Sequence, residues 1–141
     1  MIESCVVSSF SIDDMLLTFD IKSVLEVGYA LEVESVPRSR SWIEGICNLR
    51  GRIIPVLNGH RLFGIDNKKN EAGRFMIVQN RLQIVAMRVS RINNIFPVDL
   101  KEIQNVQVSI KERSPLNVSV FDGSLMVGGE ILHMLNSHKF F

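Results

Sequence analysis

The chain is short of several things, and each shortage excludes something. Only two of its 141 residues are cysteines, Cys5 and Cys47. No disulfide framework follows from so few, and the pair reads as reduced thiols of a cytoplasmic protein. No uncharged apolar run approaches the roughly 20 residues that a membrane-spanning helix needs, so no direct membrane insertion is expected. The opening Met-Ile-Glu-Ser-Cys lacks the basic and apolar regions of a signal peptide. An excess of either charge is missing too. Sixteen Lys and Arg balance 15 Asp and Glu, leaving +1, so no global field favours nucleic acid or anionic lipid.

Chemistry-bearing motifs are equally scarce. His60, His133 and His138 share no metal-ligand spacing with one another or with the cysteines. Neither a nucleophile elbow nor a phosphate-binding glycine loop occurs. Asp13-Asp14 does not read as an acid/base pair, because adjacent hairpin residues point to opposite faces. Cys47 sits in an apolar run and reads as an inert buried thiol. No catalytic residue, cofactor or metal ligand is therefore nominated.

What is present is a globular composition, 46% hydrophobic and 22% charged, in a chain long enough to bury roughly 70% of its unfolded surface. Short apolar runs alternate with turn residues every 8–12 positions, the pattern of small barrels. Val6–Ile12 and Met15–Phe19 flank Asp13-Asp14 as a hairpin, Asp20 caps a single turn, and Val24–Tyr29 is extended. Ser41 is read as capping a short turn over Trp42-Ile43-Glu44 that ends at Gly45, with Trp42 half-buried. Ile46–Leu49 and Arg52–Leu57 flank Arg50-Gly51 as another hairpin, and Pro55 places the second strand at an edge or bulge. His60–Phe63 makes one helical turn ended by Gly64. The polar stretch Asp66–Gly73 is the best internal boundary.

Beyond that boundary, Phe75–Val78, Leu82–Met87 and Val89–Phe96 read as strands, and Pro97–Glu102 as a loop with a helical turn. Asp122-Gly123 signals a hairpin between Val118–Phe121 and Leu125–Val127. Gly128-Gly129 is read as a strand-to-helix turn leading into a terminal helix, where Ile131, Leu132 and Leu135 recur at helical spacing. Charge is segregated along the chain: residues 1–36 carry a net −6, 37–61 a net +4 and 62–141 a net +3. The bland account is oppositely charged faces within one fold. The sharper one is a partner-docking face around Arg38, Arg40, Arg50, Arg52 and Arg61.

One stretch is dense enough to identify. Gly45-Ile46-Cys47-Asn48-Leu49-Arg50-Gly51-Arg52-Ile53-Ile54-Pro55-Val56-Leu57 resembles the signature of the CheW family of chemotaxis coupling proteins, in which Asn-Leu-Arg-Gly precedes a short apolar run interrupted by proline. The flanks agree: Val24-Leu25-Glu26-Val27, Val36-Pro37, and Val89, Ile92 and Ile95 fit the family's pattern, as does Asp122-Gly123 ahead of an apolar ending. The likeness covers essentially the whole chain, most strongly over 24–64. It departs at Asn58-Gly59-His60, where the family usually has Asp-Leu-Arg, at Ser90 for Asp, at Ala86 for Gly, and at Gly128-Gly129-Glu130. These mark a divergent member.

The resemblance implies an all-β fold of two small five-stranded Src-homology-3-like barrels packed together. The first would span about 1–64, the second about 72–128, and a short C-terminal helix about 130–138. It implies a non-enzymatic adaptor, with no cofactor, that couples chemoreceptors to the CheA histidine kinase. The partners would be the cytoplasmic tip of the receptors and the kinase's regulatory domain, in the cytoplasm at membrane-bound receptor arrays. The implied receptor groove comprises Val24, Glu26, Gly45, Asn48, Leu49, Arg50 and Gly51, with Glu26, on the neighbouring strand, orienting Arg50. The planar fork of Arg50 suits one carboxylate. A competing reading is a small β-barrel that binds nucleic acid through the 37–61 arginines; another is an enzyme or ligand-binding module with a pocket between the barrels. At Asn58, substitution by Asp is expected to be neutral or mildly stabilising, since either side chain can cap the following turn.

Overall fold

A computed structural model of the chain describes residues 4–28, 31–67, 73–105, 108 and 110–140. Ten strands form two five-stranded sheets. In chain order they are β1 (Ser4–Ile12), β2 (Met15–Asp20), β3 (Val24–Gly28), β4 (Ile43–Leu49), β5 (Arg52–Asn58), β6 (Arg74–Gln79), β7 (Ile84–Val89), β8 (Arg91–Asp99), β9 (Phe121–Val127) and β10 (Glu130–Leu135). Two short α-helices, α1 (Gly59–Phe63) and α2 (Ser137–Phe140), and three single turns of 3-10 helix complete the regular structure of the described residues. One sheet has the order β8-β1-β2-β10-β9 and the other β3-β6-β7-β5-β4.

This order corrects the expected division into residues 1–64 and 72–128. The middle of the chain, β3 to β7, builds one sheet, and the two ends build the other. The chain crosses between them after β2, through a turn capped by Asp20, whose carboxylate accepts from the Lys22 amide at 2.9 Å. It crosses back at Ser90, between β7 and β8. Turn residues dictate which neighbouring strands fold back locally. They carry no information on which distant strands pair, and that choice rests on matching apolar faces.

Apolar burial falls into three clusters that match two packed barrels. Cys47, Ile54, Val56, Phe75, Ile77 and Ala86 fill the interior of the central sheet. Val7, Val98, Leu125 and Leu132 fill that of the terminal sheet. The largest cluster lies between the sheets and draws Phe10, Leu17 and Phe19 from one, and Met76, Val85 and Met87 from the other. Phe10 stacks on Phe19 at 5.4 Å, and Phe140 of α2 meets Phe19 edge-on at 5.8 Å. Each such ring pair adds about 0.5–1.5 kcal/mol beyond the area it buries.

Several local expectations shift for identifiable reasons. Ser41 does not start a turn over 42–44: Ile43 and Glu44 already belong to β4, with Ile43 opposite Leu57. Asp122-Gly123 is not a hairpin turn but lies inside β9. The turn is Gly128-Gly129, where φ is +57° and +82°, the doubly positive geometry that suits a two-residue hairpin. The expected helix over 130–138 is therefore mostly strand β10, and only α2 remains helical. Six residues of helix would be marginal in water, whereas β10 is paired on both sides, parallel to β2 and antiparallel to β9. Pro97 lies in strand β8, which is a sheet edge, a position open to proline. Pro55 is on an interior strand, but the β7 ladder begins only at Val56, so its missing N–H is tolerated. The expected boundary at 66–73 and the end of the extended run at Tyr29 fall partly outside the described residues.

Candidate functional site

The signature stretch folds as the β4–β5 hairpin. Leu49 pairs with Arg52 across Arg50-Gly51, whose φ values are +51° and +85°. Glycine adopts that backbone freely, but an arginine does so against its Cβ, at a cost of about 1 kcal/mol. The Asn48 side-chain oxygen accepts from the Gly51 amide at 2.8 Å and closes the turn. Leu49 packs at the rim of the central sheet's interior. Arg50 is thrown outward, its side chain 78% exposed, and its Nη1 donates to Glu26 Oε2 at 2.5 Å.

Glu26 is on β3, which is not the strand next to β4, as the sequence led us to expect. The two lie at opposite edges of the sheet. A contact between opposite edges requires the sheet to curl on itself, so this ion pair fastens the seam of a barrel. Along β3, Val24 and Glu26 are partly buried, and Leu25 and Val27 half exposed. Val24 packs against the core between the sheets. Gly45 is buried, and a Cβ there would lie 2.0 Å from the Glu34 carbonyl oxygen. The backbone that needs its bareness is this chain's own segment 31–36, tied to β4 by the Glu34–Ile46 bridge.

At the end of β3, a groove of about 430 Å³ opens between the two sheets. Val27, Gly28 and Arg74 line it from the central sheet, and Arg91, Ile92 and Asn93 from the terminal one. None of the seven residues expected to form the receptor groove lines this one, and nothing in the sequence singled out Arg74 or Arg91. Neither belongs to the signature, and the crossing at Ser90 sets the start of β8 across the groove from β3.

Four of the departures from the family signature, Asn58, Gly59, His60 and Ser90, converge at that same crossing. Asn58 caps α1 by accepting from the Arg61 amide at 3.0 Å, while its Nδ2 donates to Glu44 at 2.8 Å. Glu44 takes two bonds from Arg88, Nε at 2.6 Å and Nη2 at 2.8 Å. The Arg88 guanidinium lies 4.4 Å over the ring of Phe75, a favourable cation–aromatic contact. At Gly59, where the family usually has leucine, a Cβ would stand 2.4 Å from the Arg88 carbonyl oxygen. His60 is buried, with Nε2 at 2.8 Å from Asp13 Oδ1 and 3.3 Å from Ser90 Oγ. Ser90 Oγ accepts from the Asp13 amide at 2.8 Å.

Serine, histidine and aspartate thus meet, but not as a hydrolytic triad. A triad needs the two partners on different ring nitrogens. Here both face Nε2, and Nδ1 is buried with no hydrogen-bond partner among the described residues. The set ties the β1–β2 turn, α1 and the β7–β8 crossing together. Burial pushes the Cys47 thiol up, which keeps it protonated and unreactive. Among the described residues, no three His, Cys, Asp or Glu converge as metal ligands, and no helix is long and apolar enough to cross a membrane. The 37–61 arginines are dispersed over separate tasks: Arg50 meets Glu26, Arg61 donates to the Ser41 carbonyl and Arg40 lies over Trp42.

Two curled sheets, a surface groove between them and polar groups engaged in holding turns define a binding module of the adaptor class. The comparisons name the family. The CheW-like domain matches residues 7–141, and the chain belongs to that family: a chemotaxis scaffold or adaptor without enzymatic activity. It is 31% identical to the chemotaxis protein CheW of Thermotoga maritima over 74% of this chain and 70% of that protein. It is 26% identical to the CheW of Treponema pallidum over 94% of this chain and 79% of that one. The crystal structure of the scaffolding protein TtCheW from Thermoanaerobacter tengcongensis superposes with a TM-score of 0.84 at 25% identity, covering 99% of this chain and 93% of that one.

Proposed function

We propose that the chain couples the cytoplasmic tip of chemoreceptors to the regulatory domain of a CheA-type histidine kinase, in the cytoplasm at receptor arrays. The observation that carries this reading is the groove between the sheets, lined by Val27 and Ile92 and adjoining Glu26, which Arg50 holds. A receptor tip is an antiparallel helical hairpin, and an apolar helix face fits such a groove. Arg50 and Glu26 then act together: the ion pair fixes β3, and β3 presents Val27 to the partner. Val24 and Leu49 support the two strands from within, Asn48 and Gly51 set the turn that aims Arg50, and Gly45 lets segment 31–36 brace β4.

The kinase would take a different surface. Ile53, 59% exposed, and Leu82, 94% exposed, line a separate groove of about 330 Å³. Solvent-facing leucine and isoleucine grouped in this way suit a protein interface. An adaptor held by both partners transmits a receptor change only as far as its affinities differ between signalling states. The test is titration of the full chain with a receptor-tip hairpin and, separately, with the kinase regulatory domain. Arg50→Ala should weaken the first and spare the second, and Ile53→Asp the reverse. Loss of both affinities in step for each variant would refute two separate surfaces.

A further inference from the structure

The groove between the sheets has a chemical bias that an apolar docking site does not need. Arg74 and Arg91 stand in its wall beside Val27 and Ile92, and none of the lining residues is acidic. Both arginines are exposed. Arg91 donates to Ser11 Oγ at 3.4 Å, a contact at the limit of hydrogen bonding, and has no ion pair among the described residues. Arg74 Nη1 donates to the Gly73 carbonyl at 3.0 Å, and Arg50 and Arg88 are each satisfied by a carboxylate of this chain.

We infer that the groove selects a partner helix carrying an acidic side chain next to its apolar anchor, the carboxylate seating against Arg91 with Arg74 alongside. This rests on the receptor-docking reading and specifies which receptor tips the chain accepts. The physical reason is desolvation. A purely apolar helix would strip water from the Arg91 guanidinium and return nothing, and a lysine there would be repelled. A carboxylate replaces the lost water with charge-assisted bonds and matches the planar fork of arginine. Opposite charge across the groove also speeds encounter, so the effect should weaken with salt.

The test uses the full chain and a fluorescent helical-hairpin peptide reproducing a chemoreceptor tip with an acidic residue beside its apolar face, titrated by anisotropy. Arg91→Ala should raise Kd on the order of tenfold, the worth of one charge-assisted bond. Arg91→Glu should raise it further, and a peptide with the acid changed to lysine should restore binding to that variant alone. Raising salt should weaken the wild-type complex more than that of Arg91→Ala. Circular dichroism of each variant establishes folding. If Arg91→Ala and Arg91→Glu bind as tightly as wild type while Arg50→Ala weakens binding, the acidic preference is overturned and the receptor reading stands. If the wild-type chain binds no tip peptide, acidic or neutral, the receptor reading itself fails and the preference with it. A simple dicarboxylate displacing the peptide through Arg91 would make the groove a small-anion site and overturn the proposal.

Discussion

Two arginine–carboxylate pairs among the described residues of the central sheet differ in almost everything but their chemistry. Arg50 and Glu26 join opposite sheet edges through a single contact, with side chains 78% and 34% exposed. Arg88 and Glu44 join interior strand β7 to edge strand β4 through two bonds, at 26% and 15%, with Asn58 and Phe75 closing round them. Exposure decides their worth. An ion pair in water contributes about 0–1 kcal/mol, because solvent screens it and ordering two long side chains costs entropy. A half-buried pair is dangerous to break, because the surviving charge stays desolvated. The first pair is therefore free to serve binding, and the second is bound to structure.

Five substitutions would break or sharpen this contrast. The largest effect is expected from Arg88→Ala, which leaves the Glu44 carboxylate with Asn58 and removes the cover over Phe75. Urea unfolding should show a loss of about 2–4 kcal/mol. A loss below about 1 kcal/mol would put this pair in the same class as the exposed one.

Next is Asn58→Asp, and here the structure reverses the sequence expectation of a neutral or mildly stabilising change. The cap would survive, but the Asn58 Nδ2 that donates to Glu44 would become a carboxylate oxygen facing another. A loss of about 1–2 kcal/mol at neutral pH is expected. Because the neighbouring Glu44 raises the new carboxyl, the loss should shrink as pH falls toward about 4 and be gone below it, where a protonated aspartate can donate as the amide did. Arg50→Ala should cost less than about 1 kcal/mol in stability and leave the far-UV spectrum unchanged, yet weaken receptor-tip binding; Arg50→Lys should retain part of that binding, since a point charge does not reproduce a fork.

The smallest stability change, and the sharpest separation, is expected from Arg50→Gly. Glycine relieves the left-handed backbone at φ +51° but is looser in the unfolded chain, so stability should move by no more than about 1 kcal/mol in either direction. Binding of the tip should fall as it does for alanine. A side chain that does nothing for stability where glycine fits, and that binding requires, would be held there by function.

Legibility followed the range of the interaction. Asn48-Leu49-Arg50-Gly51 could be read as a hairpin turn because its hydrogen bond and backbone angles are local. The caps at Asp20 and Asn58 and the stop at Gly64 were readable for the same reason. Glu26 and Arg50 could be matched only through family resemblance, and even then the wrong neighbourhood was assumed, since nothing local says that a sheet curls. The terminal helix was misread because an apolar spacing of one and four residues over six positions fits a helix turn and a doubly covered strand equally well. Arg74 and Arg91 gave no signal: an exposed arginine at a strand end is ordinary until another strand is laid beside it.

The sequence by itself determined that this is a β-rich chain with a hairpin signature, several capped turns, no catalytic motif and a family likeness specific enough to carry its function class. Those are properties of composition and of neighbours a few residues apart, where turn chemistry and side-chain alternation act directly. Only the tertiary structure decided that the middle of the chain makes one barrel and its two ends the other. It also decided that Arg50 closes a seam, that Asn58, Gly59, His60 and Ser90 meet at one crossing, and that two arginines share a groove. Each of these depends on burying apolar faces from strands tens of residues apart, and a strand's pattern shows which face it must bury without naming the strand it will bury it against.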